Sequence, residues 1–179
     1  YIWVKKGGGG GDEYAKQFIN SNGNIYLTTQ TESTAQFGSF NLVSGGGLVK
    51  YDSSGIVLDA KILFTASTSS LTNWLHIKFL ETDLLFHGYF NTPSFQLDTF
   101  NLTNLGTSDA FLARADSNGN VKWVKQFGNA GADYIEDMAI RNNYLYTIGG
   151  FQDSINFGGT SLYNNGKDVF IAKFDSAGN

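Results

Sequence analysis

His76 and His87 are the only imidazoles in the chain, and no cysteine accompanies them. A zinc site takes three or four His, Cys or carboxylate ligands, and neither histidine has such a companion cluster nearby in sequence. His87 lies within the apolar run "LLFHGYF", which predicts a packed strand histidine, not a ligand. No G-x-S-x-G elbow supports a nucleophilic triad. Two acidic pairs, Asp12 with Glu13 and Glu136 with Asp137, offer the side chains glycosidases use, but that chemistry depends on a through-space separation that spacing in sequence does not set. Asp116, Asn118 and Asn120 alternate as calcium ligands do. Yet Gly119 falls fourth in the segment where an EF-hand loop has its glycine sixth, and no glutamate closes it. A hairpin turn is the expected reading. The glycine run Gly7 to Gly11 lacks the Gly-Lys-Ser/Thr ending of a phosphate loop and precedes no helix pattern, so an inter-strand loop is expected there. Catalytic and metal residues are therefore predicted to be none, with no cofactor. Trp74 is the one aromatic singled out as a ligand-binding candidate, because Trp3 and Trp123 share a repeated slot that suits packing.

The composition sets the frame for these residues. Hydrophobic residues make up 41% of the 179 and charged residues 16%, which predicts a packed core and argues against disorder. A formal net charge of −4 disfavours nucleic acid as a partner. The absence of cysteine rules out a disulfide framework. No apolar run approaches the roughly 20 residues of a transmembrane helix. The chain opens on Tyr1 and reads as a piece of something longer, with any targeting segment outside it.

Internal repetition is the strongest signal. "FIAKFDSAGN" (170–179) echoes "FLARADSNGN" (111–120) and, more weakly, "GLVKYDSSGI" (47–56). The turn aspartates Asp52, Asp116 and Asp175 thus recur about sixty residues apart, a period that belongs to repeat architectures. "IWVKK" (2–6), "LDAKI" (58–62) and "KWVKQ" (122–126) form a second echo, and "YLYTIGGF" (144–151), "LLFHGYF" (84–90) and "NIYLTTQT" (24–31) a third. A further step falls at Phe37-Gly38, Phe95-Gln96 and Phe157-Gly158. The repeats run 1–56, 57–120 and 121–179.

Within the third repeat the apolar period is two, and strands are expected over about 121–127, 134–141, 144–150 and 168–174. Asp, Asn and Gly in the "DSxGN" turn suit a tight hairpin that ties the strand before it to the Trp strand after it. Four strands per unit, repeated, is the arithmetic of a β-propeller, so the expected class is all-β: three consecutive four-stranded blades of a larger propeller.

The segment from Gly131 to Asn179 resembles the bacterial seven-bladed propeller repeat known as the SBBP repeat. The shared marks are Asp133-Tyr134, Tyr146, Gly149, Phe151, Phe157-Gly158, Asp168, Phe170, Lys173, Asp175 and the Trp-x-Lys of Trp123 and Lys125. The first repeat is similar through Trp3, Asp12, Tyr14, Gly23 to Leu27 and Phe37-Gly38. The middle repeat departs most, with no Trp in its slot and with Pro93. The resemblance implies an extracellular or cell-surface protein of the Bacteroidetes type, exported by type IX secretion. It implies no activity; the residues themselves lead to the expectation of a non-enzymatic scaffold that binds protein or glycan in adhesion, with the secretion machinery as a further partner. The alternative is a fragment of a propeller hydrolase or lyase with its active site in a central channel. That alternative predicts catalytic side chains at equivalent positions, whereas the recurring ionic slots are cationic: Lys50, Arg114 and Lys173, and Lys5, Lys61 and Lys125.

Overall fold

The computed structural model describes residues 3–65 and 75–179, and every regular element among them is a β-strand. The first stretch holds β1 (Gly8–Gly9), β2 (Glu13–Ser21), β3 (Asn24–Thr31), β4 (Ala35–Phe37), β5 (Phe40–Leu42), β6 (Gly45–Asp52) and β7 (Val57–Thr65). The second begins with β8 (Leu75–Leu80), β9 (Asp83–Phe90), β10 (Ser94–Leu97), β11 (Phe100–Thr103), β12 (Asp109–Ala115) and β13 (Val121–Phe127). It ends with β14 (Tyr134–Arg141), β15 (Tyr144–Asn156) and β16 (Ser161–Phe174). No helix among the described residues is long and apolar enough to cross a membrane.

Three main antiparallel sheets result. The first has the order β2-β3-β6-β7, the second β8-β9-β12-β13 and the third β14-β15-β16. The sheets are out of phase with the sequence echoes. The strand after each Asp turn pairs back onto the strand before it, so β7 and β13 complete the sheets of the preceding repeats, Val49 opposite Ala60 and Ala113 opposite Val124. The expected 121–127 strand therefore belongs to the second sheet, and the third sheet has β16 at a bare edge.

The same register corrects one expected echo. The small hairpins turn at Gly38, Asp98 and Gly158, all in the left-handed region (φ 59°, 53° and 77°). Phe37 pairs with Phe40 and Leu97 with Phe100, and the Phe157 amide donates to the Thr160 carbonyl. Leu97-Asp98 is thus the middle copy of Phe37-Gly38, and Phe95-Gln96 lies one pleat earlier. Asp tolerates this backbone better than most residues with a Cβ, so the landmark persists without its glycine.

The sheets pack face to face. Tyr26, Leu48 and Leu63 of the first sheet share a core with Ile77, Phe86 and Phe111 of the second. Leu85 and Leu112, on the opposite face of the second sheet, share another with Ile135, Met138 and Phe170 of the third. The second sheet is covered on both sides, and this is why β9 and β12 read as nearly continuous apolar runs instead of alternating ones.

Each Asp turn is held by one carboxylate oxygen. Asp116 Oδ1 accepts the Asn118 and Asn120 amides at 2.9 and 3.0 Å, and Asp52 and Asp175 repeat the arrangement. Gly55, Gly119 and Gly178 supply the left-handed residue, at φ 75°, 77° and 80°. Burial alone would raise the Asp116 carboxyl. The donors from Asn120 and Asn118 outweigh it and hold the group below the ordinary carboxylate range.

Asp116→Ala should therefore lower stability by about 1–2 kcal/mol near neutral pH, read as a lower urea midpoint with an unchanged slope. The native carboxyl is depressed, so its contribution is present above the ordinary carboxylate pKa and fades as pH falls below about 4. The gap between wild type and variant should close in that window.

Candidate functional site

Where the second and third sheets diverge they leave a cleft of about 470 Å³, lined by His76, Tyr89, Ser108, Tyr134, Ile135 and Glu136. Pockets of a few hundred Å³ are the size that small ligands use. His76 comes from the edge strand β8, Tyr89 from the end of β9, and Ser108 from the residue before β12. Tyr134, Ile135 and Glu136 open β14. Ile135 pairs with Gly149 and Asp137 with Ile148, so Glu136 is the extra residue of a β-bulge. Bulges re-aim side chains, and this one turns a carboxylate toward the cleft. The Tyr89 and Tyr134 rings meet edge to face, with centroids 6.3 Å apart and planes at 64°.

Two loops fix the rim. The Thr107 amide donates to the Gly131 carbonyl at 2.8 Å and the Asp133 amide to the Ser108 carbonyl at 2.9 Å. Each loop is closed by an aspartate that takes the amide four residues earlier, Leu105 onto Asp109 and Asn129 onto Asp133, both at 3.0 Å. Burial pushes the Asp133 carboxyl up to about 6, with the Asn129 and Gln152 amides opposing, and raises Asp109 as well. These carboxylates hold the loops that carry the cleft.

Behind the rim, the His76 and His87 rings stack with centroids 5.0 Å apart and planes at 11°. His87 has no accessible surface, and no hydrogen bond of normal geometry reaches either ring nitrogen. Burial, reinforced by the neighbouring His76, pulls its pKa down to about 3, although the Ile135 backbone lies close enough to oppose this slightly. His76 is lowered first by its own burial, against the pull of Glu136 and Asp137. Both imidazoles are thus biased to the neutral form, and His87 is the packed strand histidine expected from its apolar run.

The other candidates disperse. Trp74 lies outside the described residues; in sequence it precedes Leu75 as Tyr134 precedes Ile135. Trp3 donates from Nε1 to the Ser53 carbonyl at 3.0 Å and lies against Gly55, while Trp123 lies against Gly178. Both tryptophans therefore sit on Asp turns. Five of the six cationic slots have separate local partners. Lys50 stands over Tyr26 and Lys173 over Tyr144, and Arg114 pairs with Asp83 at 2.7 Å. Lys61 and Lys125 donate to the turn asparagines Asn120 and Asn179.

The acidic pairs stay apart, Asp12 and Glu13 at the start of β2 of the first sheet and Glu136 and Asp137 on β14 of the third, with the second sheet between them. Asp137 faces Lys78 at 3.3 Å. The calcium-like spacing at Asp116 resolves into amide acceptance, and Gly8–Gly9 forms a strand against β4. Among the described residues no group of three or more His, Asp or Glu is placed to hold a metal ion. What the cleft offers is two phenol rings, a hydroxyl, a carboxylate and a neutral imidazole, a set suited to stacking and hydrogen bonding.

Ser108 carried no sequence signal, and Tyr89 and Tyr134 were legible only within repeat landmarks. They become a site because two sheets meet there. No family model matches the chain, and no curated protein matches it.

The sign of the histidine linkage is testable. The unfolded chain takes a proton at position 87 below about pH 6.5 and the folded chain refuses it until about pH 3. Stability is therefore whole above that window and is lost as pH falls through it. His87→Leu should flatten this acid limb by about 3–5 kcal/mol and leave neutral-pH stability equal or higher, measured by urea unfolding at pH 7.5 and 4.

Proposed function

We propose that this chain is a run of β-propeller repeats of the bacterial type its motifs resemble, working without catalysis as an extracellular or cell-surface binding scaffold. The ligand class we assign to it is a neutral glycan, taken in the cleft between the second and third sheets. The carrying observation is the pair Tyr89 and Tyr134 beside Ser108 and Glu136. Phenol rings pack against the C–H faces of a pyranose, and hydroxyl and carboxylate groups bond its equatorial hydroxyls. The net charge of −4 favours a neutral saccharide over an acidic one.

The propeller reading is supported by three antiparallel sheets of one sequence period that bury their faces on one another. The non-catalytic reading is supported by the employment of the recurring ionic groups. They hold turns and neighbouring strands, and the two acidic pairs lie on different sheets. Surface display and type IX export rest on the motif resemblance alone.

The test is a neutral-glycan array followed by calorimetry on the best binder. Tyr134→Ala should weaken binding at least tenfold, about 1.4 kcal/mol or more, with the fold intact by circular dichroism. Failure of every neutral glycan to bind would overturn the ligand class. Release of a cleaved product would overturn the non-catalytic reading.

A further inference from the structure

The contact between sheets is built twice with the same positions, and its two halves recur, uncovered, at opposite ends of the molecule. Register places Leu48, Leu112 and Ile171 in one slot, and Thr28, His87 and Ile148 in another. In the first two sheets these residues are sealed by the next sheet. In the third, Ile171 is 76% exposed and Ile148 50%. The sealing residue is equally consistent. Ile77 opposite Phe86 and Met138 opposite Thr147 are buried against the preceding sheet, and the same slot on β2, opposite Leu27, holds Phe18 at 70% exposure.

The edges match as the faces do. β7 and β13 each add a fourth strand, with Asp59 opposite Lys50 and Trp123 opposite Arg114. From that strand, lysines reach the Asp turn of the following sheet: Lys61 to Asn120 and Lys125 to Asn179. Trp3 and Lys5 already lie against the first sheet's turn at Gly55 in this manner, yet they belong to no strand. They stand in the register of a fourth strand but pair with no sheet among the described residues, and among the same residues β16 is a sheet edge with no strand beyond it.

We propose that a second copy of the chain covers these uncovered halves, docking head-to-tail. Residues 3–7 of one copy add antiparallel to β16 of the other, with Val4 opposite Ala172, and Phe18 closes over Ile148 and Ile171. Among the described residues the two faces do not meet, because the second sheet stands between the first and the third. Strand addition satisfies the open hydrogen-bonding edge, and the apolar slots are those already used twice inside the molecule. The contact is heterologous, since each copy contributes a different face. It rests on sheet packing and is independent of the glycan reading.

The chain has no native cysteine, so register can be read directly. Val4→Cys with Ala172→Cys should give intermolecular disulfides under mild oxidation, at least tenfold more than the off-register pair Val4→Cys with Val169→Cys. By sedimentation the wild-type chain should associate at micromolar concentration, and Phe18→Asp and Ile171→Asp should each abolish this. Both positions are exposed, so the fold survives the substitutions. Mixing the two variants should restore a 1:1 dimer that grows no further, because each keeps one intact half. A monomeric wild type, a mixture that stays monomeric, or cross-linking indifferent to register would overturn the proposal. The first of these outcomes would assign the faces to a neighbouring repeat of a longer polypeptide.

Discussion

A sheet that carries apolar side chains on both faces must be covered twice, and this constraint organises the whole molecule. Leu85, His87, Ala110 and Leu112 lie on one face of the second sheet, with Phe86, Phe111 and Ala113 on the other, and all of them are buried. Neither face is stable in water, so the first and third sheets are held where they are. The price of the arrangement falls on the outer sheets, whose far faces keep Phe18, Ile148, Val169 and Ile171 in solvent.

The Asp turns convert this stacking into a fixed register. A carboxylate that accepts two amides leaves its loop little freedom, and the tight turn gives the preceding sheet a firm surface to rest on. Lys61 and Lys125 reach their turns from one strand position, Trp123 from the position two residues earlier, and Trp3 lies on the first turn in the same way without belonging to a strand. The tryptophans are therefore half-exposed braces between repeats and not deep core residues. The middle repeat does without one because Lys61 and Leu63 reach Gly119 instead. Its departure from the repeat pattern has a local substitute, and the geometry of the turn is kept.

The candidate site follows from the same packing. A cleft lies beside the stacked histidines, and the bulge residue Glu136 at the start of β14 lines it. His87 shows the cost of a polar ring in a doubly covered strand: its nitrogens go without partners, and its proton affinity collapses. Asp109 and Asp133 accept a similar cost to fasten the rim loops.

The sequence by itself determined the all-β class, the hairpin turns at Asp52, Asp116 and Asp175, and a packed His87. Those features are local: a period of two, a glycine at a left-handed position and an aspartate two residues before the amide it accepts are all written in adjacent residues. Only the tertiary structure decided which strand completes which sheet, that Asp98 stands where Gly38 and Gly158 do, and that Tyr89, Ser108 and Tyr134 share a cleft. Strand partnership and sheet stacking are set by hydrogen bonds and apolar contacts between residues tens of positions apart. A repeat period is indifferent to its own phase, so sequence alone does not say where one sheet ends and the next begins.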